Sequence, residues 1–247
     1  MTPEQLAAQL RCPSGEHAVE VADRMNEANG PLTVRAIGVL DIQSGDAVLE
    51  IGPGNAAFAP DALRRPGTHY TGVDWSGDMV AAAQRRHAGL VAQGRARFLR
   101  GSSDDLPFAP GSFDRALAVN TLYFWERPQR HLAAIKRILK PGGSFCIVFG
   151  DPGFMRDLPF VPFGFTLYER EMVERLLDIA GFVDVQAHDH HETVTGNNGE
   201  TVARLPPAVR PCRLSRPAPA IEEGRSPPKD RTAGERCRCG SLSSPPR

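Results

Sequence analysis

No stretch of this chain approaches the apolar length that a bilayer span requires. The opening residues Met1-Thr2-Pro3-Glu4-Gln5 lack the charged-then-apolar pattern of a secretory leader. A membrane span is not expected, and a cytoplasmic protein is. Cysteine is sparse: Cys12, Cys146, Cys212, Cys237 and Cys239 are odd in number, scattered, and without paired metal-ligand spacing. Cys237-Arg238-Cys239 is too tight for the usual zinc pair, so no metal site is expected there. Net charge is also lacking, formally zero, but it is unevenly spread. From Leu205 onward nine Arg/Lys stand against four Asp/Glu, which leaves the preceding residues at −5. A body of that sign is a poor nucleic-acid binder, so no specific nucleic acid is expected as a partner; the oligomeric state is left open. The 41% apolar content over 247 residues suits one α/β domain with a good-sized core.

The strongest local signal is Val48-Leu49-Glu50-Ile51-Gly52-Pro53-Gly54-Asn55. A β-branched apolar run carrying one acid is stopped by a glycine-bearing turn. A side chain at Gly52 or Gly54 would obstruct close backbone approach to a ligand or a positive φ. A helix over 56–63 is expected next, its unpaired N–H groups aimed at whatever lies over the turn. Twenty-four residues after Glu50, His69-Tyr70-Thr71-Gly72-Val73 ends in Asp74, with Ser76 ready to cap a following helix. An acid there can accept from both hydroxyls of a ribose and would repel a 2′-phosphate.

Around this centre the pattern alternates strand and helix, as a doubly wound sheet requires. Residues 1–40 read as a helical cap in three pieces, with breaks at Pro13 and Pro31. Its polar Arg24-Met25-Asn26 end either closes over a ligand on the turn or simply covers a sheet edge. Strands are expected at 47–51, 69–74, 96–100, 113–119 and 144–149, with helices at 77–87, 129–139 and 169–180. The exit of the fourth strand, Asn120-Thr121-Leu122-Tyr123-Phe124-Trp125, is aromatic and suits the wall of a flat ligand. The Phe-rich segment 151–165 is expected as a loop and a candidate lid over an apolar substrate. A sixth strand over 182–190 and a hairpin to an antiparallel seventh strand at 200–205 complete the sheet. His188 and His190 share a face of that sixth strand, with no third metal ligand in view. From Pro206 to the end, nine of the 22 prolines occur among Arg and Ser, which reads as a disordered tail over 205–247. The abruptness of the change is what a shifted reading frame near Arg204 would produce.

The order of signals resembles the class I S-adenosylmethionine-dependent methyltransferases, in particular the small-molecule group similar to ubiquinone and menaquinone biosynthesis methyltransferases. The resemblance spans about residues 5–204 and rests on four stretches: Val48 to Asn55; Gly72-Val73-Asp74; Asp105-Leu106-Pro107-Phe108 with Gly111-Ser112-Phe113-Asp114; and Leu139-Lys140-Pro141-Gly142-Gly143. It implies a Rossmann-like, mostly parallel seven-stranded sheet with an antiparallel last strand over 41–204, and S-adenosylmethionine as cofactor. By the same resemblance Glu50, Gly52 and Gly54, with Asn55 in the turn, lie beside the methionine portion. Asp74 holds the ribose hydroxyls, Trp75 flanks the adenine, Ser102 and Ser103 edge it, and Asn120 presents its backbone near the sulfonium. Ala56 stands where a third glycine is common, and Ser102 where an Asp often takes the adenine amino group.

Methyl transfer is an in-line displacement that needs alignment and exclusion of water more than a fixed triad. Spacing therefore identifies no catalytic group; Tyr123, His131 and Asp151 are candidates for a general base if the acceptor is a hydroxyl. The expected substrate is a small, partly apolar molecule. Two alternatives stay open. One is an NAD-linked oxidoreductase, because Gly52-x-Gly54-x-x-Ala57 also fits a dinucleotide fingerprint. The other is a non-catalytic or unstable relative whose C-terminus is aberrant.

Overall fold

The computed structural model describes residues 1–187, together with the backbone of 192–195, 201–204 and 208–214. All of these belong to a unit that runs from Met1 to Arg216. Helix α1 (Pro3–Arg11) starts at a capping box in which Thr2 and Gln5 satisfy each other's backbone N–H groups. A single 3-10 turn at Gly15–His17 leads into α2 (Ala18–Val39). Then come β1 (Ala47–Ile51), α3 (Ala59–Ala62), β2 (His69–Asp74), α4 (Gly77–Arg86), α5 (Ala88–Ala92), β3 (Ala96–Arg100) and β4 (Phe113–Val119). After a 3-10 turn at Leu122–Phe124 follow α6 (Pro128–Ile138), β5 (Leu139–Phe149), α7 (Pro152–Met155), α8 (Arg170–Ile179) and β6 (Phe182–Val183). The last elements are β7 (Glu192–Thr195), β8 (Thr201–Arg204) and β9 (Ala208–Leu214).

Five strands lie parallel in the order β3-β2-β1-β4-β5. The chain winds outward from β1 through β2 to β3, then crosses back to β4 on the other side of β1. Ligands in such sheets collect at the carboxyl ends of the strands beside that reversal. Both faces are covered. Along β1 and β5, Leu49, Ile51, Phe145, Ile147 and Phe149 enter one core with α6 and α8. Val48, Cys146 and Val148 enter the other with α2 and α4. The exits of three strands are held by their neighbours: Gly52 N donates to Val73 O, Gly101 N to Asp74 O and Asn120 N to Val148 O, at 2.8–2.9 Å.

Several expectations need correction. The helix after the glycine turn is one turn long and begins at Ala59, because Pro60 is tolerated only in a first turn and would obstruct a helix already under way from 56. At Pro31, where a break was expected, α2 runs straight on. Ala22, Leu32, Ala36 and Ile37 bury one face on both sides of the proline, and that packing outweighs its helix penalty. Lys140-Pro141-Gly142-Gly143 is not a terminator ahead of β5 but an irregularity inside it, where the register steps from Phe113↔Leu139 to Arg115↔Ser144. The 151–165 segment opens with α7 and packs Met155 and Val161 into the core instead of remaining a loop. Within the described part of the expected strand over 182–190, only Phe182–Val183 is strand. Glu192–Thr195 and Thr201–Arg204 do pair as an antiparallel hairpin, but as a separate two-stranded sheet. Ala208–Leu214, expected in the structureless tail, runs antiparallel along β5 and also pairs with β6. His188, His190, Cys237 and Cys239 lie outside the described residues.

Candidate functional site

The sequence motifs divide into those that build the frame and those that face a cavity. Asp114 belongs to the frame: its carboxylate takes the Ala47 N–H at 2.9 Å and both oxygens meet Lys140 Nζ within 2.9 Å, so one acid ties the starts of β1, β4 and β5. Arg137 on α6 likewise donates at 2.6 Å to the carbonyls of Leu106 and Phe108, which fixes the Leu-Pro-Phe loop. These stretches are recognisable because the fold needs them.

The cavity lies over the carboxyl ends of β1, β2, β3 and β4 and opens to solvent. Glu50, Gly52, Gly54, Asn55, Asp74, Trp75, Ser102, Ser103 and Asn120 all line it. Gly52 and Gly54 both have φ near +60, the region that penalises a side chain. A Cβ on Gly52 would stand 2.5 Å from Thr121 Cγ2, so the turn and the β4 exit meet there without room for a methyl. A Cβ on Gly54 would meet nothing within 4 Å and would project into the open space. Ala56, two residues on, has φ 54, which explains a glycine preference at that position by backbone conformation rather than by size.

Buried acids dominate the β1–β2 side. Asp74 Oδ2 accepts from Gly54 N at 2.9 Å and Oδ1 from Ser76 N at 2.8 Å; burial pushes its pKa up while those two N–H donors oppose the shift. Glu50 is only 6% exposed and accepts from the Tyr70 hydroxyl at 2.6 Å. Burial, only partly offset by that bond and aided by the Asp74 charge, raises its pKa from 4.5 to about 7. The Tyr70 hydroxyl is pushed well above its ordinary value by its own burial and by the same carboxylate.

Toward β3, Ser102 Oγ donates to Asp104 Oδ1 at 2.5 Å, which holds that partly exposed carboxyl below its usual range. Ser103 Oγ lies 2.7 Å from His131 Nδ1, and the imidazole stacks flat on Trp125, with ring centroids 4.8 Å apart. Burial lowers the His131 pKa. Trp75, half exposed, carries the Arg11 guanidinium 5.4 Å above its ring, and Arg11 also reaches Glu126 at 3.3 Å. Residues 11–15 are thus fastened across the rim, where Ser76 Oγ donates to Pro13 O and Gly15 N donates to Asp78.

The cap helix forms the remaining wall. Met25 and Asn26 line the cavity, but Arg24 turns to Glu20 at 2.7 Å. Asn26 Nδ2 donates to Asn55 Oδ1 at 2.9 Å, and Asn55 Nδ2 to Asp23 at 3.0 Å, which joins α2 to the glycine turn. Sequence reasoning missed Asn29, Thr33 and Phe58, which also line the cavity. A signal existed: Asn26, Asn29 and Thr33 recur at helical spacing on a face that is otherwise apolar.

The candidate bases separate. His131 lines the cavity. Tyr123 lies buried behind it, where its hydroxyl donates to Asn120 Oδ1 at 3.1 Å and takes the Gly150 N–H. Asp151 caps α7 by accepting from Phe154 N at 3.2 Å and is not on the cavity wall. The 151–165 segment contributes no described lining residue; instead Phe165 backs Phe124, with centroids 4.7 Å apart. It is a buttress for the aromatic wall, not a lid. Among the described residues no three His, Cys, Asp or Glu side chains cluster as metal ligands, and no helix is long and apolar enough to cross a membrane.

Residues 49–147 match the family described as Methyltransferase domain, a span that takes in β1 through most of β5 and the glycine turn. The chain is 33% identical over 142 residues to the fatty-acid O-methyltransferase of Mycolicibacterium smegmatis, covering 56% of this chain and 48% of that protein. It is 30% identical over 148 residues to the demethylmenaquinone methyltransferase of Clavibacter sepedonicus, covering 60% and 56%. These likenesses support a class I S-adenosylmethionine-dependent methyltransferase. The chain spans about half the length of the curated relatives it matches. Two solved structures show the same fold as this chain. One is the YcgJ protein from Bacillus subtilis, with a TM-score of 0.58, 17% identity, and coverage of 74% of this chain and 97% of that one. The other is the phosphoethanolamine N-methyltransferase 2 of Haemonchus contortus, solved with phosphomonomethylethanolamine and S-adenosylhomocysteine, with a TM-score of 0.55, 24% identity, and coverage of 65% and 39%.

The comparisons support S-adenosylmethionine as the cofactor, and the cavity lining fits it. Two buried carboxyl groups suit a ligand with a cationic end and a ribose diol, and the space off Gly54 leaves the backbone open to close approach.

Proposed function

We propose that the chain transfers a methyl group to a small, partly apolar acceptor by in-line displacement. In this reading Asp74 accepts the ribose hydroxyls with the lone pairs that Gly54 N and Ser76 N leave free. Trp75, Ser102 and Ser103 bound the adenine, with Ser103 held by His131. Glu50, Gly52, Gly54 and Asn55 face the methionine portion. The bound cofactor supplies a methyl on a sulfonium whose leaving group is a neutral thioether. Asn120, at φ 54 and held by Tyr123 through its side chain, turns its backbone toward the reacting end. The cap helix and the Phe124–Trp125 wall exclude water and align the acceptor. Should the acceptor be a hydroxyl, His131 is the candidate base that lines the cavity, with Nε2 as the free ring nitrogen because Nδ1 is held at Ser103. The same reading takes the sheet as seven-stranded with an antiparallel last strand, supported by the pairing of Ala208–Leu214 with β5.

The observation that carries the proposal is the convergence of all nine motif residues on one cavity wall. Thermal unfolding of the full chain with S-adenosylmethionine, S-adenosylhomocysteine and NAD tests it. The first two should raise the melting temperature, NAD should not, and Asp74→Asn should reduce the rise, by about tenfold or more in apparent affinity. A response to NAD alone would restore the oxidoreductase reading. Binding without turnover on a phenol, quinol and fatty-acid panel would favour a non-catalytic relative.

A further inference from the structure

The two oxygens of the Glu50 carboxylate have different surroundings. The register of β1 and β2 sets Gly72 opposite Glu50 and Tyr70 opposite Val48, so Tyr70 reaches along the strands to donate to Glu50 Oε2 at 2.6 Å. That length is typical of a hydroxyl donating to an ionised carboxylate. Oε1 has no donor in the protein, yet it is not among the described side-chain atoms that are both buried and unpaired, which are Asn29 Oδ1, Arg115 Nε and Thr121 Oγ1. Oε1 therefore keeps accessible surface, and Glu50 lines the cavity. Tyr70 itself is 1% exposed and does not line the cavity; its ring packs on Phe98, with centroids 5.9 Å apart. Among the described residues no other charged or titratable group takes over the work of its hydroxyl. Asp74 adds a like charge, Arg11 is held by Glu126 and the face of Trp75, His131 meets Ser103, and His87 meets Ala56 O at 2.7 Å. From α2, Met25, Asn26, Asn29 and Thr33 reach the cavity and none is charged.

We infer that Tyr70 is a positioning residue for the cofactor: its hydroxyl fixes the Glu50 carboxylate with Oε1 toward the ammonium group of S-adenosylmethionine, and it extends to lower pH the range in which the site accepts that cation. This inference rests on the methyltransferase reading, which gives Glu50 the methionine portion. A glutamate tied at one oxygen presents the other as a fixed acceptor, so less order has to be imposed when the ligand arrives. The tie also acts on charge. Burial raises the Glu50 pKa to about 7, and the Tyr70 bond opposes that rise. Without the hydroxyl the ionised acid loses its donor in the protein, its pKa climbs further, and the acid is neutral at a pH where the ammonium group needs a charged partner. Tyr70 remains a donor throughout, because its own pKa is pushed well above the ordinary value by burial and by Glu50.

The test follows S-adenosylhomocysteine, which carries the same ammonium group, binding to the full chain by calorimetry at pH ~6 and pH ~8. In Tyr70→Phe, which keeps the buried ring, affinity should fall about tenfold at pH ~6 but only about twofold at pH ~8, the pattern of a carboxyl whose pKa has risen by about one unit. In a Glu50→Gln background the same substitution should change affinity by less than about twofold at either pH, because the charge through which Tyr70 acts is gone. An equal loss at both pH values would make Tyr70 a packing residue and overturn the inference. Unchanged binding, or an undiminished effect in the Gln background, would do the same. If Tyr70→Phe does not fold, the unmodified chain decides. Its three tyrosines can be labelled with carbon-13 at Cζ and the Tyr70 signal assigned by elimination with Tyr123→Phe and Tyr168→Phe. That signal should shift with a midpoint near 7 as Glu50 titrates, and should stop doing so when S-adenosylhomocysteine saturates the site. A Tyr70 signal indifferent to pH across that range would overturn the inference. Failure of the unmodified chain to bind S-adenosylhomocysteine at either pH is a different result: it rejects the methyltransferase reading, and this inference with it, and it is measured first.

Discussion

The two walls of the cavity are built on opposite terms. On the β1–β3 side the buried polar groups are paired within the protein: Asp74 with two backbone N–H groups, Glu50 with Tyr70, and Ser103 with His131. On the α2–β4 side, Asn29 Oδ1 and Thr121 Oγ1 are left open. The first wall is pre-organised, with its oxygens fixed in place by the fold whether or not a ligand is bound. The second has buried hydrogen-bonding capacity that the fold leaves unpaired.

The largest effect should come from breaking the seam between the walls. Gly52→Ala places a methyl against Thr121 and keeps a positive φ, and should cost about 2–5 kcal/mol of stability. Chemical denaturation reads this directly. Gly54→Ala is the matched control. It carries the φ penalty without the clash, about 1–2 kcal/mol, and its methyl should instead weaken S-adenosylhomocysteine binding.

A second, smaller effect probes pre-organisation through pH. A carboxyl whose pKa rises on folding stabilises the native state most below its unfolded pKa, and that contribution is lost as pH climbs. For Glu50 the loss runs from near 4.5 to about 7. Glu50→Gln should therefore be more stable than the unmodified chain at pH ~8, by about 2–3 kcal/mol, with little difference at pH ~4. The unmodified chain should also bind S-adenosylhomocysteine more tightly at pH ~8 than at pH ~6, since the ligand's ammonium favours the ionised acid. A Gln variant with the same pH dependence would remove Glu50 from that role.

The smallest effect is at Ala56. Relief of its left-handed backbone in Ala56→Gly opposes the loss of a buried methyl and added freedom in the unfolded chain, so a gain of at most about 1 kcal/mol is expected. A clear loss would show that the methyl packing outweighs the strain.

The two walls also differed in how far they could be read from sequence. The five parallel strands and the glycine turn were legible because β-branched runs end in breakers at strand exits. Asp74 was read from the end of its strand, Ser102 and Asn120 were placed by the family resemblance, and all three line the cavity. The cap wall was less legible. Pro31 suggested a break that the packing of Ala22 and Ile37 overrides, and splitting the helix there concealed the common face of Asn26, Asn29 and Thr33. Pro60 was a readable signal that went unused: a proline only four residues into an expected helix places the helix start at Ala59. The Phe-rich segment failed as a lid because apolar content shows that a segment must be buried, not against what. Its partners, Tyr123 and Phe124, lie far away in sequence.

The reversal of strand order at β1 has a consequence for how the site comes into being. Its walls are drawn from α2, the β1 turn, the ends of β2 and β3, and the β4 exit, segments that are up to about a hundred residues apart in the chain. No hairpin or helix pair formed early in folding contains the site, so it is completed only when the non-local pairings of β1 with both β2 and β4 are in place. A ligand here recognises the finished topology. Its stabilisation should therefore appear in the slowest, globally protected amides of the central strands, not only in those beside the cavity.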